Sequence, residues 1–436
     1  VEYWDVPHDE VNPLPESFLI RQGFNILSEA IASRVPSDSS AIGVSLSGGI
    51  DSSIIASVLA RQGFPISTFT MGFQNEHHSI TEYAFARQVA MNIGSNHSEI
   101  TMGGDDLLRD LPQIVWHMDT PTAGSILPFF IAKAAAQRGV FLIFRGDGAH
   151  SVFEAPVEPK FPAIAKLLSF VDLAPPELAW RVYDTLQRIL FSKESVLRHK
   201  SSNLAAGLRL VSAFLKAKTG RHNLDLLFSK TERERMFTVP FWNEDPQFID
   251  TDTLVMATMN RLISPDLEQR LVYEEYKRFP SQGLVHNASI TAGFSIDNRQ
   301  PYFDHKLVEF SQQHIPVDAR RQRNIDKYIL KQIANKILPP SIIQRPQHPF
   351  IMPINDWLHN ELKPLVHVLL NEQSTGDRSF LRRKSIQDVY NQYFSQSPQY
   401  VSFRKLWSLV VLELWLRLYN DSPTVSRPTF NGCEII

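Results

Sequence analysis

Ile42-Gly43-Val44-Ser45-Leu46-Ser47-Gly48-Gly49-Ile50-Asp51-Ser52-Ser53 carries an apolar strand directly into a run of small residues and on into a helix that the pattern starts near Ser52. Two glycines allow a tight backbone path, so main-chain N–H groups can approach an anion closely. The helix N-terminus adds unpaired donors and partial positive charge. Three hydroxyls, from Ser47, Ser52 and Ser53, add further donors. The turn is therefore a place where the phosphates of a nucleotide would bind. Asp51 would repel a phosphate directly, so its consistent role is to hold a magnesium ion bridging carboxylate and phosphate oxygens. An ordinary glycine turn between strand and helix has the same local form, and the surrounding chain must separate the two.

From Ile42 to Phe144 strand-like and helix-like segments alternate: strands at Ile42 to Leu46, Ile66 to Gly72, His97 to Ile100 and Val140 to Phe144, with helical runs between them. This alternation predicts an α/β fold, a parallel twisted sheet with helices on both faces. Nucleotides bind such sheets beyond the carboxyl ends of the strands, where Ser47 to Ser53 falls. Residues 1–16, proline-rich up to Pro15, read as an extended connector, and a helix is expected from about Ser17 to Arg34. The α/β core then occupies 17–153. After Phe153 the pattern turns helical with no convincing strand, punctuated by Pro156, Pro159, Pro162 and Pro175-Pro176, giving a mostly helical lobe over 154–420. Residues 421–436 read as a loose tail.

Composition narrows the function classes. A net charge of -2 over 436 residues gives no global electrostatic reason to expect nucleic acid or an acidic membrane as partner. The one cysteine, Cys433, excludes an internal disulfide or a cysteine-built metal site and fits a reducing, cytoplasmic setting. The most apolar run, Leu406 to Tyr419, contains Glu413 and Arg417 and reads as a buried helix, too short for a bilayer. No secretory signal opens the chain, and a start at Val1 suggests that a segment has been removed upstream. Between Arg188 and Arg221 eight Lys or Arg residues face one acidic residue, Glu194; a solvated helix face is the favoured reading over contact with an acidic peptide, RNA or phosphate.

The loop resembles the pyrophosphatase-type loop, Ser-Gly-Gly-Xaa-Asp-Ser, of enzymes that cleave ATP between its α and β phosphates; no Gly-Lys-Ser/Thr follows, so it is not a Walker loop. Further segments follow the order of the synthetase domain of asparagine synthetases and their relatives, the β-lactam synthetases and lasso-peptide cyclases. Tyr3-Trp4-Asp5 resembles the linker after the family's glutaminase domain, and Thr70-Met71-Gly72-Phe73 the end of its second strand. Asn96 to Glu99 and Asp119-Thr120-Pro121 continue the order. Gly146-Asp147-Gly148-Ala149-His150-Ser151-Val152-Phe153 is similar to its second glycine-rich loop, and Arg299 to Asp304 to its Arg-Val-Pro-Phe-Leu-Asp run. Lys327 to Leu338, Arg345 to Phe350, Trp357 and Leu406 to Leu416 complete it.

This resemblance implies an adenine nucleotide α-hydrolase-like fold and a reaction in which a carboxylate attacks the α-phosphate of ATP. Pyrophosphate leaves, and an amine displaces AMP from the acyl-adenylate. By position it implies that Ser47, Gly48, Gly49, Asp51 and Ser52 grip pyrophosphate and Mg2+, and that Leu46, Met71, Gly72 and Gly146 line the adenosine site. Asp147 stands at the position associated with the incoming amine, where a carboxylate could accept its proton. Asp119 and Arg299 fall at the substrate; Arg299 and Asp304 read equally as a structural ion pair.

Three positions depart from the family pattern. His150 replaces an aspartate that ligates magnesium, a hard cation that prefers oxygen. Gln347 replaces a lysine at the phosphates, which a neutral amide cannot match in charge, with Arg345 or His348 as substitutes. His286-Asn287-Ala288-Ser289-Ile290-Thr291 replaces an Asp-Arg-Xaa-Ser-Met run that shapes the amino-acid pocket. The expected function is an AMP-forming amide synthetase acting on a specialised carboxylate, with a peptide, as in a lasso-peptide cyclase, as one natural candidate. A glutamine-dependent asparagine synthetase, and an impaired homologue that binds a nucleotide or partner, are the alternatives.

Overall fold

Short stretches of β-branched and aromatic residues form the strands of one sheet: β1 (Ile42–Ser45), β2 (Ile66–Phe73), β3 (Asn96–Met102) and β4 (Leu142–Phe144), joined by β5 (Asp297–Arg299). The computed structural model describes residues 3–7, 11–37, 41–74, 77–124, 126–154, 228, 230–238, 257–258, 261, 273, 276–277, 283–322, 325–345, 352–370, 378–395, 400–421, 428 and 432–434. All pairings in this sheet are parallel, in the order β3-β2-β1-β4-β5. Parallel neighbours need a crossover, and helices supply it. α1 (Glu16–Ala32) precedes the sheet; α2 (Ile50–Arg61) links β1 to β2, α3 (His77–Ile93) links β2 to β3, and α4 (Gly104–Met118) with α5 (Leu127–Ala136) links β3 to β4.

The helices cover both faces, so the central strands are apolar throughout instead of alternating: Ile42, Val44, Phe69, Ile143 and Phe144 are all buried. On one face α1, α2 and the helices His305–His314 and Tyr328–Ala334 enclose Leu27, Ile54, Phe144, Leu307 and Leu330. On the other, α4, α5 and the helices Lys363–Leu370 and Tyr400–Tyr419 enclose Leu111, Phe129, Leu365 and Val410. From β1 the chain moves outward to β2 and β3, then returns to lay β4 on the opposite side of β1. In open α/β sheets ligands bind at such a reversal, and here it falls at the carboxyl ends of β1 and β4.

The alternation expected from Ile42 to Phe144 agrees with this architecture, with α2 starting at Ile50 rather than near Ser52. One expectation is corrected: the chain after Phe153 does contribute a strand to the sheet. β5 is three polar residues, Asp297, Asn298 and Arg299, with no apolar pattern; the open edge of β4 makes it a strand by supplying backbone partners. A second, two-stranded antiparallel ribbon pairs Arg321–Gln322 with Ile325–Asp326. The apolar run Leu406 to Tyr419 lies in the helix Tyr400–Tyr419, with Leu406, Val410 and Leu414 buried, and no described helix is long and apolar enough to cross a membrane. The basic stretch Arg188 to Arg221 and most of the tail lie outside the described residues.

That helix is anchored by charge. Arg378, half-buried, donates to both carboxylate oxygens of buried Glu413 at 2.9 and 3.0 Å and to Asp421 at 2.6 and 2.7 Å, while Arg417 reaches Glu413 at 3.1 Å. The hydrogen bonds from Arg378 hold the Asp421 carboxyl below the usual carboxylate range. Its folded pKa lies below its unfolded value, so this contribution is complete above about pH 4 and is lost as pH falls through the folded value. Removing one partner strands a buried charge: Arg378→Met should destabilise the fold by about 3 kcal/mol in urea unfolding. Arg378→Met combined with Glu413→Leu should recover much of that loss.

Candidate functional site

The strand-to-helix turn after β1 is built by close approach. Gly48 has φ 69°, and a Cβ placed on it would lie 2.6 Å from the Ala86 amide nitrogen of α3. Gly49 caps α2 in an extended conformation. Leu46, fully buried, is clamped to β2: its N–H donates to the Phe69 carbonyl at 2.8 Å and its carbonyl accepts from the Thr70 hydroxyl at 2.5 Å. Met71 and Gly72 follow on β2, Met71 with its side chain in the core. Within the turn, the Ser47 N–H donates to Ser52 Oγ at 3.2 Å, and the two hydroxyl oxygens are 3.2 Å apart. Ser53 is different from what the sequence suggests: its hydroxyl is fully buried and donates to the Gly49 carbonyl at 2.7 Å, so it closes the helix turn and is spent as a ligand donor.

The loop after β4 packs directly on this turn. A Cβ on Gly146 would meet the Ser52 amide nitrogen at 3.0 Å and Asp51 Cβ at 3.1 Å, so a side chain there would crowd the turn and its absence lets the two loops lie close. Asp147 is half-buried and accepts from Arg145 Nε at 2.7 Å. His150 is exposed on the short helix Ala149–Phe153.

Two residues without an expected role complete the site. Lys327, 5% exposed at its side chain, places Nζ 2.8 Å from Asp51 Oδ2 and 3.9 Å from Glu154 Oε2. Tyr302, fully buried, donates from its hydroxyl to the Asp51 carbonyl at 3.0 Å. Burial, with the Asp51 charge adding to it, pushes the Tyr302 phenol well above its ordinary pKa and keeps it a donor. In the sequence Lys327 is only the head of a helical run and Tyr302 only part of the Pro-Tyr-Phe step, and neither carries a local signal of its place beside Asp51.

Asp51 also supplies the test of whether magnesium fits. Its Oδ2 takes Lys327, whereas Oδ1 is buried and has no hydrogen-bond partner. A buried carboxylate oxygen without a partner is costly, and a hard, oxygen-seeking cation would satisfy it. Among the described residues no group of three His, Cys, Asp or Glu side chains is placed to hold a metal. Magnesium needs none, since it takes one or two protein carboxylates and fills its remaining positions with phosphate oxygens and water. Asp51 therefore fits; the imidazole of His150 offers the wrong donor chemistry.

Arg345 joins the turn to α3. Its guanidinium donates to the Ser47 carbonyl at 3.1 Å, pairs with Glu82 and lies 4.5 Å from the Phe85 ring centroid, so its charge is engaged by Glu82. Gln347 and His348 lie outside the described residues. Arg299 and Asp304 do not pair with each other. Arg299 binds Asp297 on its own strand, whereas Asp304 accepts from Arg34 at 2.8 Å and caps the helix His305–His314 through the Lys306 N–H. Asp119 stands apart from the loop among its described contacts. It ends α4 in the left-handed conformation, and its carbonyl accepts from Trp415 Nε1 at 3.1 Å. Its neighbour Thr120 meets His286 across the fold, hydroxyl to Nε2 at 2.8 Å, which brings together the two segments expected at the substrate.

Residues 25–417 match the family model described as asparagine synthase. A glutamine-hydrolysing asparagine synthetase of Bacillus subtilis is 22% identical over 375 residues, covering 86% of this chain and 55% of that protein. The human glutamine-hydrolysing asparagine synthetase is 27% identical over 241 residues, covering 51% of this chain and 40% of its own length. The chain thus spans little more than half of the Bacillus subtilis protein. Among solved structures, a U34-tRNA thiolase of Methanococcus maripaludis covers 66% of this chain and 84% of its own at 13% identity and a TM-score of 0.26, a likeness too slight to bear on the reading.

The packing of Gly48 is directly testable. Gly48→Ala faces both a positive φ and a backbone clash with α3, so a loss of about 2 kcal/mol or more is expected in urea unfolding, against about 1 kcal/mol for the phenol hydroxyl lost in Tyr302→Phe.

Proposed function

This chain belongs to the asparagine synthase family, and we propose that it is an ATP-dependent, AMP-forming amide synthetase that activates a carboxylate for attack by an amine. The observation that carries the reading is the unpartnered, buried Oδ1 of Asp51 beside Lys327, in a glycine turn at the point where the strand order reverses. An anionic carboxylate must approach a polyanionic triphosphate, so the main obstacle is charge repulsion. Backbone N–H groups of Ser47 to Ser52 and the N-terminus of α2 would receive the pyrophosphate end. Magnesium held by Asp51 would offset phosphate charge. Leu46, Met71, Gly72 and Gly146 would line the adenosine through backbone contacts.

The substrate carboxylate oxygen forms a bond to the α-phosphorus as the bond to pyrophosphate breaks. The amine then bonds to the acyl carbon as the bond to AMP breaks, and it sheds a proton. Asp147 on the second loop is the proposed acceptor of that proton, with Arg145 fixing its orientation. Arg345 holds the turn through the Ser47 carbonyl, and Gln347 is proposed to donate a hydrogen bond to phosphate. Asp119 and Arg299 are proposed substrate residues, and His150 would have at most an indirect part in metal binding.

The His286–Thr120 contact, in the stretch where asparagine synthetases carry Asp-Arg-Xaa-Ser-Met, favours a specialised carboxylate over aspartate, a peptide included. The Bacillus subtilis relative is named as glutamine-hydrolysing, and the match covers only 55% of it, which supports an additional glutaminase unit as the nitrogen source and keeps asparagine synthesis as the second reading. A cytoplasmic setting without a membrane or nucleic-acid partner completes the proposal.

The test is pyrophosphate release from ATP with magnesium or manganese, offering aspartate and linear peptides in turn. Release should depend on the carboxylate, and Asp51→Asn should lower it by about 100-fold or more. An unchanged rate in that variant would remove Asp51 from metal binding. Nucleotide binding without release for any carboxylate would identify an impaired homologue.

A further inference from the structure

The cation on Asp51 raises a question of order, because one carboxylate cannot serve an ammonium and a divalent metal equally. Lys327 reaches Asp51 from the end of the antiparallel ribbon Arg321–Gln322/Ile325–Asp326, 276 residues away in sequence. Its backbone is held at φ 55° and ψ 38°, a left-handed conformation for a residue that gains no steric relief there. The side chain is almost wholly buried, and its other carboxylate neighbour, Glu154 Oε2, is more distant at 3.9 Å. Asp51 thus presents one neutralised oxygen and one unpartnered oxygen, Oδ1.

We propose that Lys327 is a stand-in cation: it neutralises Asp51 in the nucleotide-free protein and prevents a divalent metal from loading before ATP arrives. A metal on Oδ1 would lie on the same carboxylate as a buried ammonium, and at that short range the two cations repel each other. The triphosphate supplies the anionic oxygens that let both cations remain, so metal and nucleotide enter together. This inference rests on the reading of Asp51 as the metal carboxylate. It concerns the order of loading, which distinguishes it from any claim about the reaction.

Manganese serves as the probe, followed by paramagnetic resonance on the full chain, with and without α,β-methylene-ATP. The unsubstituted protein should bind manganese saturably only with the nucleotide analogue. Lys327→Met should bind it alone, about tenfold or more tighter than the unsubstituted protein does, and Asp51→Asn should abolish the site in both backgrounds. Lys327→Arg keeps the charge and should keep the nucleotide requirement. Thermal melts on the same samples report folding, and Lys327→Gln replaces the methionine variant if that one fails to fold. Equal binding of manganese alone by the unsubstituted protein and Lys327→Met, abolished by Asp51→Asn, would overturn the stand-in while leaving Asp51 as the metal residue. Manganese binding that survives Asp51→Asn in the presence of the analogue would overturn both.

Discussion

A buried ammonium must be met by a carboxylate, and here that requirement joins two distant parts of the chain. Asp51 opens α2 at the centre of the sheet, and Lys327 is delivered to it by a ribbon from far along the chain, at 2.8 Å. Breaking such a pair from one side leaves an uncompensated charge in a poorly hydrated place, so the segments carrying the two residues are held in one arrangement. Tyr302 reinforces the junction by donating to the Asp51 carbonyl from a fully buried ring. Arg345 does the same for Ser47 and ties it through Glu82 to α3.

The sheet explains why this junction is also a binding site. Parallel strands deliver their loops to one edge, and the reversal between β1 and β4 is the place in such sheets where ligands bind. The glycines decide how near they lie: Gly48 lets α3 press on the first loop, and Gly146 lets the second loop touch Asp51 and Ser52. Polar groups at the carboxyl edge are placed by apolar layers on both faces, which bury the strands and leave few degrees of freedom at their ends.

Much of the fold was legible because its signals are local. A glycine-and-serine turn between an apolar strand and a helix, and the repetition of strand and helix from Ile42 to Phe144, need only short windows to read. Where the reading failed, the cause was non-local. β5 has no strand pattern of its own and exists through the edge of β4. Ser53 looks like a ligand donor in sequence, yet the first turn of α2 directs its hydroxyl to Gly49. Arg299 and Asp304 suggest a mutual ion pair, but strand alternation and a helix cap give them to Asp297 and Arg34.

The sequence by itself determined the α/β class, the turn at Ser47 to Ser53 and the presence of a carboxylate within it, since backbone preferences and hydrophobic periodicity act over a few residues. Only the tertiary structure decided what that carboxylate meets. Nothing near Asp51 in the chain announces Lys327 or Tyr302; they arrive because the sheet's far edge, the helices packed on its face and the short ribbon before Lys327 converge there. Charge pairing in a buried site is set by distances of a few ångströms through space, which short-range sequence patterns do not encode.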